Sequence, residues 1–258
     1  MKKDYHMHPA VLCRDEADSF VTAAIEKGFD EICITDHMPL SVSAAKDRIP
    51  KGCVADYCNA VRELAKKYEG MLRIKCGIEI DYHPDFADEI NAVLSAGSFD
   101  YILCSSHIHV FETSFEKYSF NDYAAYSLEN QLRGIETGLF DGVSHLDMYR
   151  NAFTKPDRFP MKDDRYSYSL HIGLINELLD KIQEKNMFLE INPHFAEGMG
   201  DIVYTYPEAG IVELALEKGL RFSFGSDAHK AESVGALYDE LLRHSVYKKA
   251  ILKWENDN

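Results

Sequence analysis

"IEKGFDEICITDH" (residues 25–37) and "LEKGLRFSFGSDAH" (216–229) follow one plan: the end of a helical pattern, a glycine, a short apolar run, then Asp and His. A glycine just past a helical pattern is a C-terminal stop signal, because it accepts the left-handed conformation there at low cost. The four or five apolar, β-prone residues that follow are too few for a helix and read as a buried strand. Helix, turn and strand in that order make one unit of a parallel α/β architecture, and this unit occurs near both ends of the chain. It is a reused building block and not a solenoid repeat.

The same alternation fills the space between. β-rich runs occur at "KKDYHMH" (2–8), "EICITDH" (31–37), "RIKCGIEID" (73–81), "DYILCSSHIH" (100–109), "GVSHLD" (142–147), "MFLEINPH" (187–194) and "RFSFGSDAH" (221–229). Amphipathic segments separate them, among them 16–28, 55–70, 171–186 and 206–219, and each ends at a glycine or asparagine. Seven strands alternating with helices predict an α/β fold with a parallel sheet, closed or doubly wound. No linker, low-complexity tract or shift of composition divides residues 1–258, so a single domain is expected. The least regular stretches, 38–53 and 148–168, follow strands, where barrel enzymes carry their active-site loops.

Composition narrows the function. The chain has 258 residues, 46% hydrophobic, with a formal net charge of −15. That balance argues against nucleic acid as a partner, since binding it calls for basic surface. A phosphate-bearing ligand would need a local positive charge such as metal ions. The six cysteines form no CxxC pair, and Cys33, Cys76 and Cys104 lie in apolar runs as small core residues. The start is polar, with no signal-peptide pattern, and no run approaches the ~20 apolar residues of a membrane helix. A reducing, cytoplasmic setting without a membrane partner is the expectation.

Most of the histidines fall at the ends of the runs: His6 and His8, His37, His107 and His109, His145, His194 and His229. The third run ends in Glu79 and Asp81. In a parallel barrel these ends share one face, so residues distant in sequence converge there. Period-two alternation puts His6 with His8, Glu79 with Asp81, His107 with His109, Asp227 with His229, and Glu190 with Asn192 and His194 on common sides. It does not decide which member of each pair reaches the centre. Imidazole and carboxylate without thiolate suit Zn, Mn or Fe, and the number of candidates predicts two or three ions. His83, His171 and His244 lie off this face and read as ordinary structural histidines.

Six motifs in fixed order resemble those of the PHP (polymerase and histidinol phosphatase) superfamily, most closely its histidinol-phosphatase branch: "DYHMH", "ITDHMP", "GIEIDYHP", "FDYILCSSHIH", "VSHLDMYR" and "GSDAHKAESVG". The resemblance runs nearly end to end. It implies a distorted, TIM-like (β/α)7 barrel with a metal site at the C-terminal face of the strands. It also implies a trinuclear centre. His6, His8, Glu79 and Asp227 would hold the first ion, Glu79 would bridge to a second held by His107 and His145, and His37 and His229 would hold the third. The family adds a further ligand to that third ion shortly after the first motif. Here "PAVLCRDEA" offers no histidine, and Asp15 is the nearest candidate.

The implied activity is a phosphomonoesterase acting on a small phosphorylated substrate, L-histidinol phosphate, in histidine biosynthesis. The ions would activate water for in-line attack on phosphorus. Arg150, and secondarily Arg48, are candidates for a forked contact with the phosphate. Asp227 is a candidate general acid as well as a ligand. The alternatives are another phosphoester (a phosphotyrosine peptide, nucleotide or sugar phosphate), a metal-dependent amidohydrolase, or a catalytically silent metal-binding module. The amidohydrolase reading lacks its strand-end lysine, and the near-complete ligand set speaks against silence.

Overall fold

The computed structural model describes residues 1–13, 16–41, 48–111, 117–151 and 171–256. Seven strands form one sheet in sequence order: β1 (Lys3–Asp4), β2 (Glu31–Ile34), β3 (Arg73–Asp81), β4 (Tyr101–Ser105), β5 (Gly142–Val143), β6 (Phe188–Ile191) and β7 (Arg221–Phe224). Every neighbouring pair is parallel. Beyond their ladders the first and last strands meet: Tyr5 N–H donates to Phe224 O, Asp227 N–H to His6 O, and His8 N–H to Ala228 O. The result is a nearly closed barrel with surrounding helices, one of the two parallel arrangements that the alternation allows and the one that the family resemblance implies.

The helices follow from local pattern. α1 (Ala17–Glu26), α2 (Val54–Lys67), α3 (Ala87–Ala96), α4 (Phe120–Thr137), α5 (Ile172–Glu184), α6 (Ala209–Glu217) and α7 (Ser245–Asn256) each bury apolar side chains. Val54, Tyr57, Cys58 and Val61 of α2, and Ile175, Leu178, Leu179 and Ile182 of α5, are buried at the i, i+3, i+4, i+7 spacing of one helix face. Gly28 (φ +71°) and Gly219 (φ +80°) end α1 and α6 in the left-handed region, as the paired opening segments require.

The strands are shorter than the β-rich runs. Among the strand-end candidates, Glu79 and Asp81 of β3 and Glu190 of β6 belong to a ladder. The others lie just beyond one, His109 falls in a short helix (Ile108–Phe111), and His194 opens another (His194–Met199). The backbone turns at these places: His145 (φ +25°) and Asp227 (φ +53°) both leave the extended region. Positive φ in a non-glycine residue is strained and persists only where the surroundings enforce it.

Candidate metal centre

β3 carries Glu79 in the middle of the sheet, fully buried. Ile78 and Ile80, also buried, point the opposite way by strand alternation. A carboxylate buried in this way needs partners. Its Oε1 lies 3.0 Å from His145 Nε2 and accepts a 3.3 Å bond from Ser144 Oγ. Its Oε2 is approached by His37 Nδ1 at 2.8 Å and by the Nε2 atoms of His6 and His8 at 3.5 Å each, yet has no hydrogen bond among the described residues.

His6 and His8 continue β1 across the barrel seam. A parallel bridge between Met7 and Ala228 keeps this segment extended, so both imidazoles face inward with their Nε2 atoms 2.9 Å apart. Asp4 fixes the seam: Oδ1 accepts from Ser226 N and His6 N, and Oδ2 from Gly235 N. Burial pushes its carboxyl up to about 6, against those hydrogen bonds.

The two paired segments diverge at their ends. In "SDAH" one residue separates Asp227 from His229, so both reach the same side. In "TDH" Asp36 and His37 are adjacent and point apart. Asp36 accepts from Ala10 N and Val11 N and so shapes the loop after His8. Asp227 Oδ1 lies 3.2 Å from His8 Nε2 and 3.6 Å from His6 Nε2.

His6 Nε2, His8 Nε2, Glu79 Oε2 and Asp227 Oδ1 thus stand 2.9–3.6 Å from one another over the five separations measured. A tetrahedral zinc site with Zn–N bonds of about 2.0–2.1 Å has donor edges of about 3.3 Å. Two further triplets, Glu79–His107–His145 and His8–His37–His229, bring their ligand atoms within 4.8 Å of one another. Buried His8 Nδ1, His37 Nδ1, His145 Nδ1 and Glu79 Oε2 lack hydrogen bonds among the described residues. Close-packed donors with unsatisfied lone pairs fit divalent ions, and the set has the composition expected for Zn, Mn or Fe.

Carboxylates behind the cluster set the imidazole orientations. Glu190 Oε1 lies 2.6 Å from His6 Nδ1, and Asp81 Oδ1 lies 2.6 Å from His107 Nδ1. Each bond turns the other ring nitrogen toward the cluster, the usual support of a metal-bound histidine. Strand periodicity flagged both carboxylates as strand-end pairs, but composition alone could not give them this supporting role.

The electrostatics follow the packing. Burial alone would raise Glu79 and Asp227, but surrounding imidazoles, His6 foremost in both cases, hold both carboxyls well below the usual range. For His107 burial acts downward and is outweighed by Asp81 and then Glu79, lifting it to about 9. His8 is driven down, first by burial and then by neighbouring His37.

The two arginines proposed from sequence are already engaged. Arg48 is buried after His37, with Nη2 2.6 Å from Asp81 Oδ2 and Nη1 donating to Met38 O. Arg150 pairs through Nε with Asp147 Oδ2 at 2.7 Å, donates from Nη2 to Thr205 O at 2.6 Å, and lies over the Tyr206 ring. Asp15 lies outside the described residues, and the triplet containing His37 and His229 is completed by His8. His194 stands beside the cluster, its ring 5.3 Å from that of His229. His83 packs on Phe86 and Phe111, away from the cluster, as an ordinary structural histidine does.

The PHP domain model matches residues 4–194, and a PHP-associated model matches 211–253. The chain is 28% identical to the histidinol-phosphatase of Bacillus subtilis over 270 residues, covering 93% of this chain and 98% of that protein. It is 27% identical to a probable histidinol-phosphatase of Deinococcus radiodurans over 256 residues, covering 93% and 91%. Its fold is similar to that of the Lactococcus lactis histidinol phosphate phosphatase crystallised with zinc, L-histidinol and phosphate. The TM-score is 0.73 at 20% identity, over 96% of this chain and 93% of that one. A putative histidinol phosphatase from Listeria monocytogenes gives a TM-score of 0.70 at 22% identity, over 93% and 99%. With its model matched over most of the length, the chain belongs to the PHP domain family.

Proposed function

We propose that this protein is a metal-dependent phosphomonoesterase that hydrolyses L-histidinol phosphate to L-histidinol and phosphate. The observation that carries the reading is Glu79: a fully buried carboxylate whose two oxygens face histidines from different strand ends, one of them without a hydrogen bond. Relatives named histidinol-phosphatase, aligned over nine-tenths of the chain, support the choice of substrate.

His6, His8, Glu79 and Asp227 hold one ion in this proposal, Glu79, His107 and His145 a second, and His8 or Glu79 with His37 and His229 a third. Bound divalent ions supply Lewis acidity toward phosphoryl oxygens and lower the pKa of water. They also supply local positive charge in a protein whose formal net charge is −15. Asp227 serves as a ligand. Its surrounding imidazoles, His6 foremost, hold its carboxyl well below the usual range, and it stays the candidate general acid as well. Asp81 and Glu190 hold His107 and His6 through Nδ1 and so direct Nε2 inward. Arg150, anchored by Asp147 and Thr205, is the proposed phosphate contact, with Arg48 second.

The proposal treats residues 1–258 as one catalytic unit, because β7, within the part matched by the PHP-associated model, completes the same sheet as β1. A cytoplasmic setting is proposed with it. The six cysteines are free thiols, and no helix among the described residues is long and apolar enough to cross a membrane. The test is a phosphate-release screen of metal-reconstituted protein against histidinol phosphate and about ten other monoesters. Histidinol phosphate is expected to give the highest kcat/KM. A nucleotide, sugar phosphate or phosphotyrosine peptide hydrolysed a hundredfold better would overturn the substrate assignment.

A further inference from the structure

Glu190 of β6 is buried and uses both carboxylate oxygens in opposite directions. Oε1 lies 2.6 Å from His6 Nδ1. Oε2 accepts from the backbone N–H of His145 at 2.9 Å and from Asn192 Nδ2 at 3.0 Å. The space it occupies is reserved on the neighbouring strand end, where a Cβ on Gly225 would collide with Glu190 Oε1 and His6 Cβ. His145, held by that backbone bond, has the unusual φ of +25°.

We propose that Glu190 is a positioning residue that assembles two donor groups at once, orienting the His6 ring and fixing the strained backbone of His145. The proposal deepens the metal reading given above and rests on it.

Two acceptors are needed at this position. For His6 to offer Nε2 to the cluster, its Nδ1 must carry the proton and point it at an acceptor. For His145 to hold its turn, a second acceptor must meet its N–H. A carboxylate supplies two acceptors, whereas an amide of the same shape supplies one acceptor and one donor. In Glu190→Gln, an amide NH2 turned toward His6 makes Nδ1 an acceptor and moves the proton to Nε2, which then cannot ligate. The same NH2 turned toward His145 meets a backbone N–H and Asn192 Nδ2, donor against donor. Each orientation spoils one half of the cluster, and exchange between the two spoils both.

The test is zinc binding by chelator competition, with zinc alone as the probe, on wild type, Glu190→Gln and Glu190→Asp. The melting of each zinc-free protein is followed by circular dichroism. Gln nearly preserves shape but leaves a buried donor unpaired, so zinc-free Glu190→Gln is expected to keep the fold and to melt below wild type. At least one zinc equivalent should weaken about 10- to 100-fold, the loss typical of a severed outer-shell bond. Glu190→Asp keeps the charge but withdraws both oxygens, should weaken two equivalents, and carries the test if the Gln variant does not fold. A folded Gln variant with the wild-type zinc isotherm, or a loss confined to one equivalent in Glu190→Asp, overturns the joint role. Because no phosphate release is measured, failure of the substrate assignment leaves the result standing. A wild-type protein that binds no zinc instead brings down the metal reading itself.

Discussion

Glu79 Oε1 lies 3.0 Å from His145 Nε2, so a carboxylate on β3 meets an imidazole from beyond β5, across the intervening strand β4. The same carboxylate turns Oε2 toward His37, His6 and His8. Glu79 therefore belongs to two of the donor groups at once, one through each oxygen, whereas His229 belongs to one.

Removal of Glu79 should accordingly cost more metal than removal of a peripheral histidine. Glu79→Ala is expected to lose at least two equivalents of bound ion per chain, and His229→Ala no more than one. Elemental analysis after gel filtration measures both, and equal losses would contradict the shared role of Glu79.

Proton release should accompany metal binding. His107, lifted to about 9 from 6.5, is protonated in the metal-free protein at pH 7 and must lose that proton to ligate. Affinity should therefore rise with pH up to about 9. Calorimetry in buffers of different ionisation enthalpy should show net proton release at pH 7, and the absence of a buffer dependence would contradict this.

The same shift makes the stability of the metal-free protein pH-dependent. A folded-state pKa above the unfolded value contributes stability that is complete below about 6.5 and is lost as pH rises through about 9. The loss attributable to His107 is at most about 3 kcal/mol. Denaturant melts of wild type and His107→Gln at pH 6 and pH 9.5 measure it, and the variant should show the smaller change.

The arginines call for a different experiment. Arg48 faces Asp81, which is fully buried and also holds His107. Arg48→Ala leaves that carboxylate with one cationic partner fewer and should destabilise the fold by about 3 kcal/mol. Arg150→Ala deprives buried Asp147 of its ion pair and should cost a similar amount. If Arg150 also engages phosphate, KM should rise and kcat/KM fall by about 30- to 1,000-fold at unchanged metal content, with Arg150→Lys recovering only part. Unaltered melting with normal kcat/KM would assign it neither role.

The fold was legible in local pattern. The glycine after each amphipathic run and the short apolar run beyond it required only neighbouring residues to interpret. The convergence of His6, His37, Glu79, His107, His145, Asp227 and His229 followed from parallel topology, since all lie at or just past strand C-terminal ends. What stayed hidden depends on distant contacts. No spacing in the sequence shows that Arg48 and Arg150 are engaged by Asp81 and Asp147. Asp36 and Asp227 occupy similar motifs, and only one intervening residue, Ala228, separates a loop support from a cluster carboxylate. Glu190 was visible as a strand-end acid, but its double duty depends on the close approach of Gly225 and His6.

The most direct measurement is phosphate release from L-histidinol phosphate by wild-type protein before chelation, after removal of metal, and after addition of Mn, Zn or Fe at neutral pH. Activity is expected to disappear with the metal and to return as two or three equivalents of one of these ions bind. Activity that survives complete removal of metal, or protein that binds none of the three ions, would contradict this.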